Sequence, residues 1–199
     1  LRKYLEDSLS VPAAVENDAN AVALGLRYYG VGKAYERFIY VTVSTGIGGA
    51  VVIENDVLSS RHNLAGEIGH MPMKEDGPTC TCGKQGCLEA LASGPAIARM
   101  ARKRALANPA AAPHLMDFLH KSEELSQVKG EAGAEVPIKA GAELRAEDVF
   151  AAARAGDGVA TAVLDEAARY LGRGIACAVN LLDPDAVLVG GGVVRANPD

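Results

Sequence analysis

The chain has 199 residues and a formal charge of −5, with 49% of its residues apolar and 23% charged, enough for one sizeable core or one domain plus part of another. That acidic balance gives no electrostatic reason to expect nucleic acid or an anionic membrane surface as a partner. No apolar run approaches the length of a membrane span.

Residues 1–9 read as the end of an amphipathic helix, with the acidic pair Glu6-Asp7 where a secretory signal needs its apolar stretch. VPAAVEN (11–17) is expected to be a short apolar strand leading to Asp18. An alanine-rich helix then runs to about Tyr29 and stops at Gly30 and Gly32. FIYVTVS (38–44) has the β-branched and aromatic composition of a buried strand. STGIGG (44–49) breaks it, AVVIE resumes, and Asn55-Asp56 predicts a further hairpin. A cysteine-rich loop occupies roughly 61–88, followed by a helix interrupted near Gly94-Pro95, with Ser93 placed to cap its second part. From about 108 to 145 the pattern dissolves into Ala, Pro, Gly and charge, passably helical over 115–125, and reads as a variable surface excursion. Order returns with a helix over 147–155, a Gly-Asp-Gly break and a long apolar helix over 161–182, ended by Asp183-Pro184. AVLVGGG is then a last buried strand with a glycine turn. Alternating strands and helices without internal repeats predict an α/β fold. Both ends are abrupt, as in a piece of a longer protein.

The densest chemistry lies in the cysteine-rich loop. Cys80, Cys82 and Cys87 with His70 make three soft thiolates and one imidazole, the donor set of a closed structural zinc site, and Gly83 and Gly86 let the backbone curl around the ion. Four protein ligands leave no open coordination position, which argues against catalytic zinc. Glu67 and Glu89 lie three and two residues from two of these ligands, so a metal that fixes the loop also fixes two carboxylates. Such a group suits a ligand rich in hydroxyls. Metal rather than disulfide chemistry implies a reducing, cytoplasmic setting. Cys177, alone in an apolar helix, reads as a core residue.

Asp18 opens a helix, where a carboxylate serves as an N-cap. The run Glu16-Asn17-Asp18-Ala19-Asn20 is denser in polar groups than a cap requires, and a site that takes a proton from a sugar hydroxyl would want it. The STGIGG turn would let backbone N–H groups approach a phosphate, although a tight hairpin accounts for it nearly as well. Gly190, Gly191 and Gly192 form a second such turn, where a flat nucleotide can lie close to the backbone. Neither is a Walker A motif or a dinucleotide fingerprint.

ENDAN (16–20), STGIGG (44–49), AGEIGH (65–70), CTCGKQGCLE (80–89) and DPDAVLVGGG (183–192) together resemble the ROK family of repressors, open reading frames and sugar kinases. The resemblance spans nearly the whole chain. It implies the actin-like, ribonuclease-H-like ATPase fold with two α/β domains closing over the substrates. Residues 1–18 would be the trailing edge of the small N-terminal domain with the catalytic loop. Residues 19–199 would be the larger domain, with the zinc loop at about 61–88 and the excursion at about 108–145. Asp18 matches the catalytic base, and Asn17, Glu67, His70 and Glu89 match sugar-binding residues. In this pattern one His70 ring nitrogen meets zinc while the ring also faces the sugar. Thr45, Gly46, Gly48 and Gly49 match the second phosphate loop, and Gly190, Gly191 and Gly192 the adenosine-side turn. The implied activity is ATP-dependent phosphorylation of a hexose, foremost glucose at its 6-hydroxyl, with Mg2+ accompanying ATP, structural Zn2+, and a homodimeric state common in the family.

The rival reading is a sugar-responsive transcriptional regulator whose DNA-binding module lies outside this chain; Asp18 favours the kinase. The family's early Asp-x-Gly-Gly-Thr phosphate loop is missing and is expected before residue 1, as closing helices are expected after Asp199. Ala50 stands where a third glycine is usual. Without that half of the nucleotide site, this chain alone is expected to be inactive.

Overall fold

The computed structural model describes residues 1–59, 61–62, 64–127 and 144–197. The β-branched and aromatic run becomes β1 (Arg37–Val43), whose alternating side chains are buried on both faces. Phe38 and Tyr40 join Ala50 and Val52 under the helix α2 (Asp18–Tyr29), which contributes Ala19 and Ala23. Ile39, Val41 and Val43 face the opposite way, into the larger core. β2 (Ile47–Ile53) runs antiparallel to β1, pairing Val43 with Ile47 and Arg37 with Ile53. The Glu54-Asn55 turn, at φ 51° and 76°, leads to the two-residue strand β3 (Asp56–Val57), so the predicted hairpin forms. β4 (Ala186–Gly190) lies parallel to β1 on its other side, which gives the sheet order β3-β2-β1-β4.

The larger core is covered by helices. α1 (Arg2–Leu9) lies apart with no buried residue. After the cysteine-rich loop come α3 (Leu88–Ala92) and α4 (Gly94–Ala107), divided at Ser93, whose hydroxyl accepts the Ala96 N–H at 3.3 Å as the cap expects. α5 (Pro113–Gln127), α6 (Ala146–Arg154) and α7 (Gly158–Leu182) complete the layer, and α8 (Gly192–Ala196) follows β4. α7 buries the stripe Ala160, Val163, Ala167, Gly174 and Ala178. A Cβ at Gly174 would lie 2.6 Å from Leu88 Cδ2, so the absence of a side chain there admits α3. No described helix is long and apolar enough to cross a membrane.

Four expectations change. Residues 11–17 are extended but form no strand; Val11 and Val15 are 52% and 54% exposed. An extended segment becomes a strand only against a sheet edge, and this one runs from α1 into the cap of α2 without reaching one. β4 is half-buried rather than buried, with Val189 42% exposed, because among the described residues it pairs on one side alone. Within the supposed surface excursion, α5 sends Leu115 and Leu119 into the core, an i, i+4 pair too sparse to read in an Ala- and Pro-rich context. Residues 128–143 of that excursion lie outside the described residues. Cys177 is exposed on α7 rather than part of the core.

Candidate functional site

The His70, Cys80, Cys82 and Cys87 donor atoms lie within 4.8 Å of one another. Gly83 and Gly86 make this curl, at φ 86° and 65°, and a Cβ at Gly86 would fall 1.6 Å from the Lys74 carbonyl oxygen. Short bridges from Pro72 to Cys87 and Thr79 to Gln85 hold the two limbs together. Cys82 Sγ is 3.6 Å from Cys87 Sγ, and Cys80 Sγ is 3.6 Å from His70 Nδ1. A tetrahedral zinc ion demands edges of about 3.8 Å between thiolate sulfurs and about 3.5 Å between sulfur and nitrogen. These two edges match that ion and the remaining donor pairs lie within 4.8 Å, so the four residues are a suitable set to hold zinc. Burial, reinforced by the neighbouring Cys82 and Cys80, pushes the Cys87 thiol up to about 12, while the Lys84 backbone N–H lowers Cys82.

The knuckle is set directly on β2. The single turn Ile68–His70 lies so close to it that a Cβ at Gly69 would fall 1.9 Å from the Ile47 carbonyl oxygen, and one at Gly49 2.6 Å from that of Gly66. With Nδ1 turned to the cysteines, His70 directs Nε2 toward Glu67 Oε2, 3.9 Å away. That gap is too long for a direct hydrogen bond and suits a bridging hydroxyl or water. Glu89, at the start of α3, accepts the Ile47 N–H with Oε2 at 3.1 Å and the Thr81 hydroxyl with Oε1 at 3.3 Å.

Asp18 begins α2, but Asn17 caps it, its Oδ1 accepting the N–H groups of Ala19 and Asn20 at 2.9 and 3.3 Å. Asp18 therefore occupies the first helical position. Its Oδ1 accepts the Ala19 N–H at 2.8 Å, and its exposed carboxylate retains a second oxygen with no hydrogen bond among the described residues. The Asn17 amide nitrogen is similarly left over. Glu16 accepts from Asn20 Nδ2 and the Asn17 N–H, which hold its carboxyl below the ordinary value. Ala19 Cβ stands 3.6 Å from where a Cβ of Gly48 would lie, so the start of α2 abuts the same end of β2 as the knuckle.

The turn between β1 and β2 is shorter than expected. Gly48 and Gly49 already pair with Thr42 and Val41 in the ladder, leaving Ser44, Thr45 and Gly46 as the turn. Neither these two nor Gly46 has a positive φ; their lack of side chains serves close approach instead, with Glu89 Oε2 2.6 Å from an ideal Gly46 Cβ. Gly191 does adopt φ 103°, and its Cβ would meet Val43 O at 2.3 Å. Gly190 rests on the Tyr40 ring, with the Tyr40 hydroxyl oxygen 3.2 Å from an ideal Cβ. The β4–α8 turn thus lies against the β1–β2 turn, and Thr45 and Gly192 line one open cavity of about 510 Å³. Its other wall carries Arg99, Arg102 and Lys103 of α4, with Arg145 beside α6. Sequence reasoning missed this wall, although the i, i+3, i+4 spacing of three cations on one helix was there to be read.

A sheet of this order, flanked by helices on both faces, with a His/Cys knuckle against its second strand and two glycine turns at one end, defines an α/β protein. A model of the ROK family matches residues 1–198, and the chain belongs to that family. The glucokinase of Halalkalibacterium halodurans is 37% identical over 197 residues, covering 98% of this chain and 53% of that protein. The xylose repressor of Bacillus subtilis is 28% identical over 198 residues, covering 100% of this chain and 42% of the repressor. Among solved structures, the ROK family glucokinase from Streptomyces griseus in complex with glucose and AMPPNP matches with a TM-score of 0.79 at 36% identity, over 98% of this chain and 57% of that one. The fold is accordingly of the actin-like, ribonuclease-H-like ATPase type. The chain spans about half the length of the curated relatives it matches.

Proposed function

We propose that this chain forms the larger, substrate-binding part of an ATP-dependent hexose kinase that phosphorylates glucose at its 6-hydroxyl. The observation that carries the reading is the convergence on one end of β2: Glu67 and His70 on the knuckle, Glu89 at the start of α3, Ala19 beside Gly48 with Asp18 just before it in α2, and the Thr45 turn next to the cavity reached by Gly192. The 3.9 Å gap between Glu67 and His70 Nε2 accommodates a ring hydroxyl that donates to one and accepts from the other. The unengaged Asp18 oxygen takes the proton of the 6-hydroxyl as that oxygen attacks the γ-phosphate, a role worth about two to four orders of magnitude in rate. Phosphoryl transfer otherwise needs positioning and charge stabilisation, which the turn backbone and the cationic wall would supply to the phosphates of ATP, with Mg2+ offsetting part of their charge. Zinc in the knuckle would be structural, holding the two glutamates in place. The likeness to the S. griseus glucokinase with glucose and AMPPNP supports both substrates. A thiolate-bound ion fits a reducing, cytoplasmic compartment.

The test is ADP release by the full-length protein with Mg-ATP and a panel of hexoses, glucose, N-acetylglucosamine and N-acetylmannosamine among them. Asp18→Asn is expected to lower turnover about 1000-fold while leaving glucose affinity within about two-fold. Retained turnover would remove Asp18 as the base. The likeness to the xylose repressor keeps the regulator as the second reading, and sugar-dependent DNA binding without turnover on any hexose would establish it.

A further inference from the structure

Glu89 touches two other parts of the chain at once. Oε2 holds the Ile47 N–H at 3.1 Å, the first amide of β2 after the turn, and Oε1 holds the Thr81 hydroxyl at 3.3 Å, inside the knuckle. Cys80 Sγ stands 3.8 Å from the same Oε1. Thr81 is the nearer donor to Oε1, and with zinc bound Cys80 would be a thiolate with no proton to give. Gly46 brings the turn backbone directly against Oε2, with no side chain between. A carboxylate offers about four acceptor sites, so two internal bonds leave room for a sugar hydroxyl.

We propose that Glu89 braces the 44–46 turn as well as facing the sugar, and that Thr81 is the positioning residue that sets it. The knuckle and the donor side of the site are then one mechanical unit. A displacement at Thr81 reaches the phosphate turn through a single carboxylate, by loss of the charge-assisted bond to Ile47. The functional consequence rests on the kinase reading, whereas the brace itself rests on these contacts alone.

Thr81→Val removes the hydroxyl at nearly constant size, and Thr81→Ser keeps it. The experiment uses the zinc-loaded full-length protein, with three readouts: zinc content by elemental analysis, hydrogen exchange at the Ile47 amide, and AMPPNP affinity without sugar. Thr81→Val is expected to keep its zinc, to speed Ile47 exchange about ten-fold and to weaken AMPPNP about three- to ten-fold, with Thr81→Ser restoring both. Thr81→Ala gives the same comparison if the valine methyls disturb the knuckle. Wild-type Ile47 protection in the zinc-bound variants overturns the brace. A loss confined to sugar affinity, with AMPPNP unchanged, overturns it equally. If the wild-type protein binds no AMPPNP, the kinase reading fails, while Ile47 exchange still decides the brace.

Discussion

Gly46→Ala probes the same carboxylate from the opposite side. The backbone at Gly46 is not left-handed, so alanine is allowed, and the obstacle is steric: its Cβ would lie 2.6 Å from Glu89 Oε2. Real contacts of this kind essentially never fall below 3.0 Å, so the oxygen must retreat by 3.0 − 2.6 = 0.4 Å or more. Added to the 3.1 Å bond to Ile47, a retreat of that size brings it to about 3.5 Å, where a hydrogen bond has lost most of its worth. A bond to a charged group contributes about 1.5–3 kcal/mol. The stiffer unfolded chain offsets about 0.4–1 kcal/mol of that, for a net loss of about 0.5–2.6 kcal/mol. The fold survives because the displaced atom is the end of a flexible side chain. Glucose affinity, measured by calorimetry on the full-length protein without nucleotide, is expected to fall about ten-fold as Glu89 leaves its place. Urea unfolding reports the stability change in parallel. A variant that binds glucose like the wild type, with unchanged stability, refutes the placement of Glu89 in the sugar site.

Elemental analysis is expected to find about one zinc per chain, and Cys82→Ser or a strong chelator should lower the thermal midpoint and glucose affinity together; well-folded protein free of zinc refutes the coupling. Because the Cys87 thiol is raised to about 12 from an ordinary 9.0, its contribution to the metal-free fold is complete below about pH 9 and declines as pH rises toward 12. Urea unfolding of chelated protein between about pH 8 and pH 11 should show that decline, and a flat profile refutes it. The buried Asp157 caps α7, its Oδ1 accepting Val159 and Ala160 N–H groups at 3.0 Å each and its Oδ2 accepting Leu115 N–H of α5 at 3.1 Å. Asp157→Ala is expected to cost about 2–4 kcal/mol in urea unfolding, and a loss under about 1 kcal/mol would contradict that role.

What could be read in the chain was what depends on neighbours in sequence. Ser93 three residues before the Ala96 amide, the Asn55 turn, the apolar run at 38–43 and the cysteine spacing each contain their own explanation. Pairing does not. Residues 47–49 carry the composition of a turn yet lie in a strand, because Thr42 and Val41 stand opposite and the knuckle needs bare backbone there. Residues 11–17 carry the composition of a strand and find no edge. Asp18 was located from its polar context, but the reason a cap does not fully occupy it is that Asn17 already does that work. The bond of Asp157 to a helix about forty residues away is a consequence of packing that no local pattern announces; the cation spacing on α4 was legible, but not the cavity or the Thr45 opposite it.

The parallel register of β1 and β4, with Thr42 opposite Gly190, makes the two glycine turns emerge side by side from the sheet. Strand residues alternate faces, so inserting one amino acid in the middle of β4 would invert every side chain beyond it and swing Gly191 away from Val43. Substitutions that keep the length of β4 and leave Gly191 without a side chain should therefore be tolerated far better than any change in strand length. Variation along this strand is accordingly free to rewrite letters, Gly191 excepted, but is held to a fixed count.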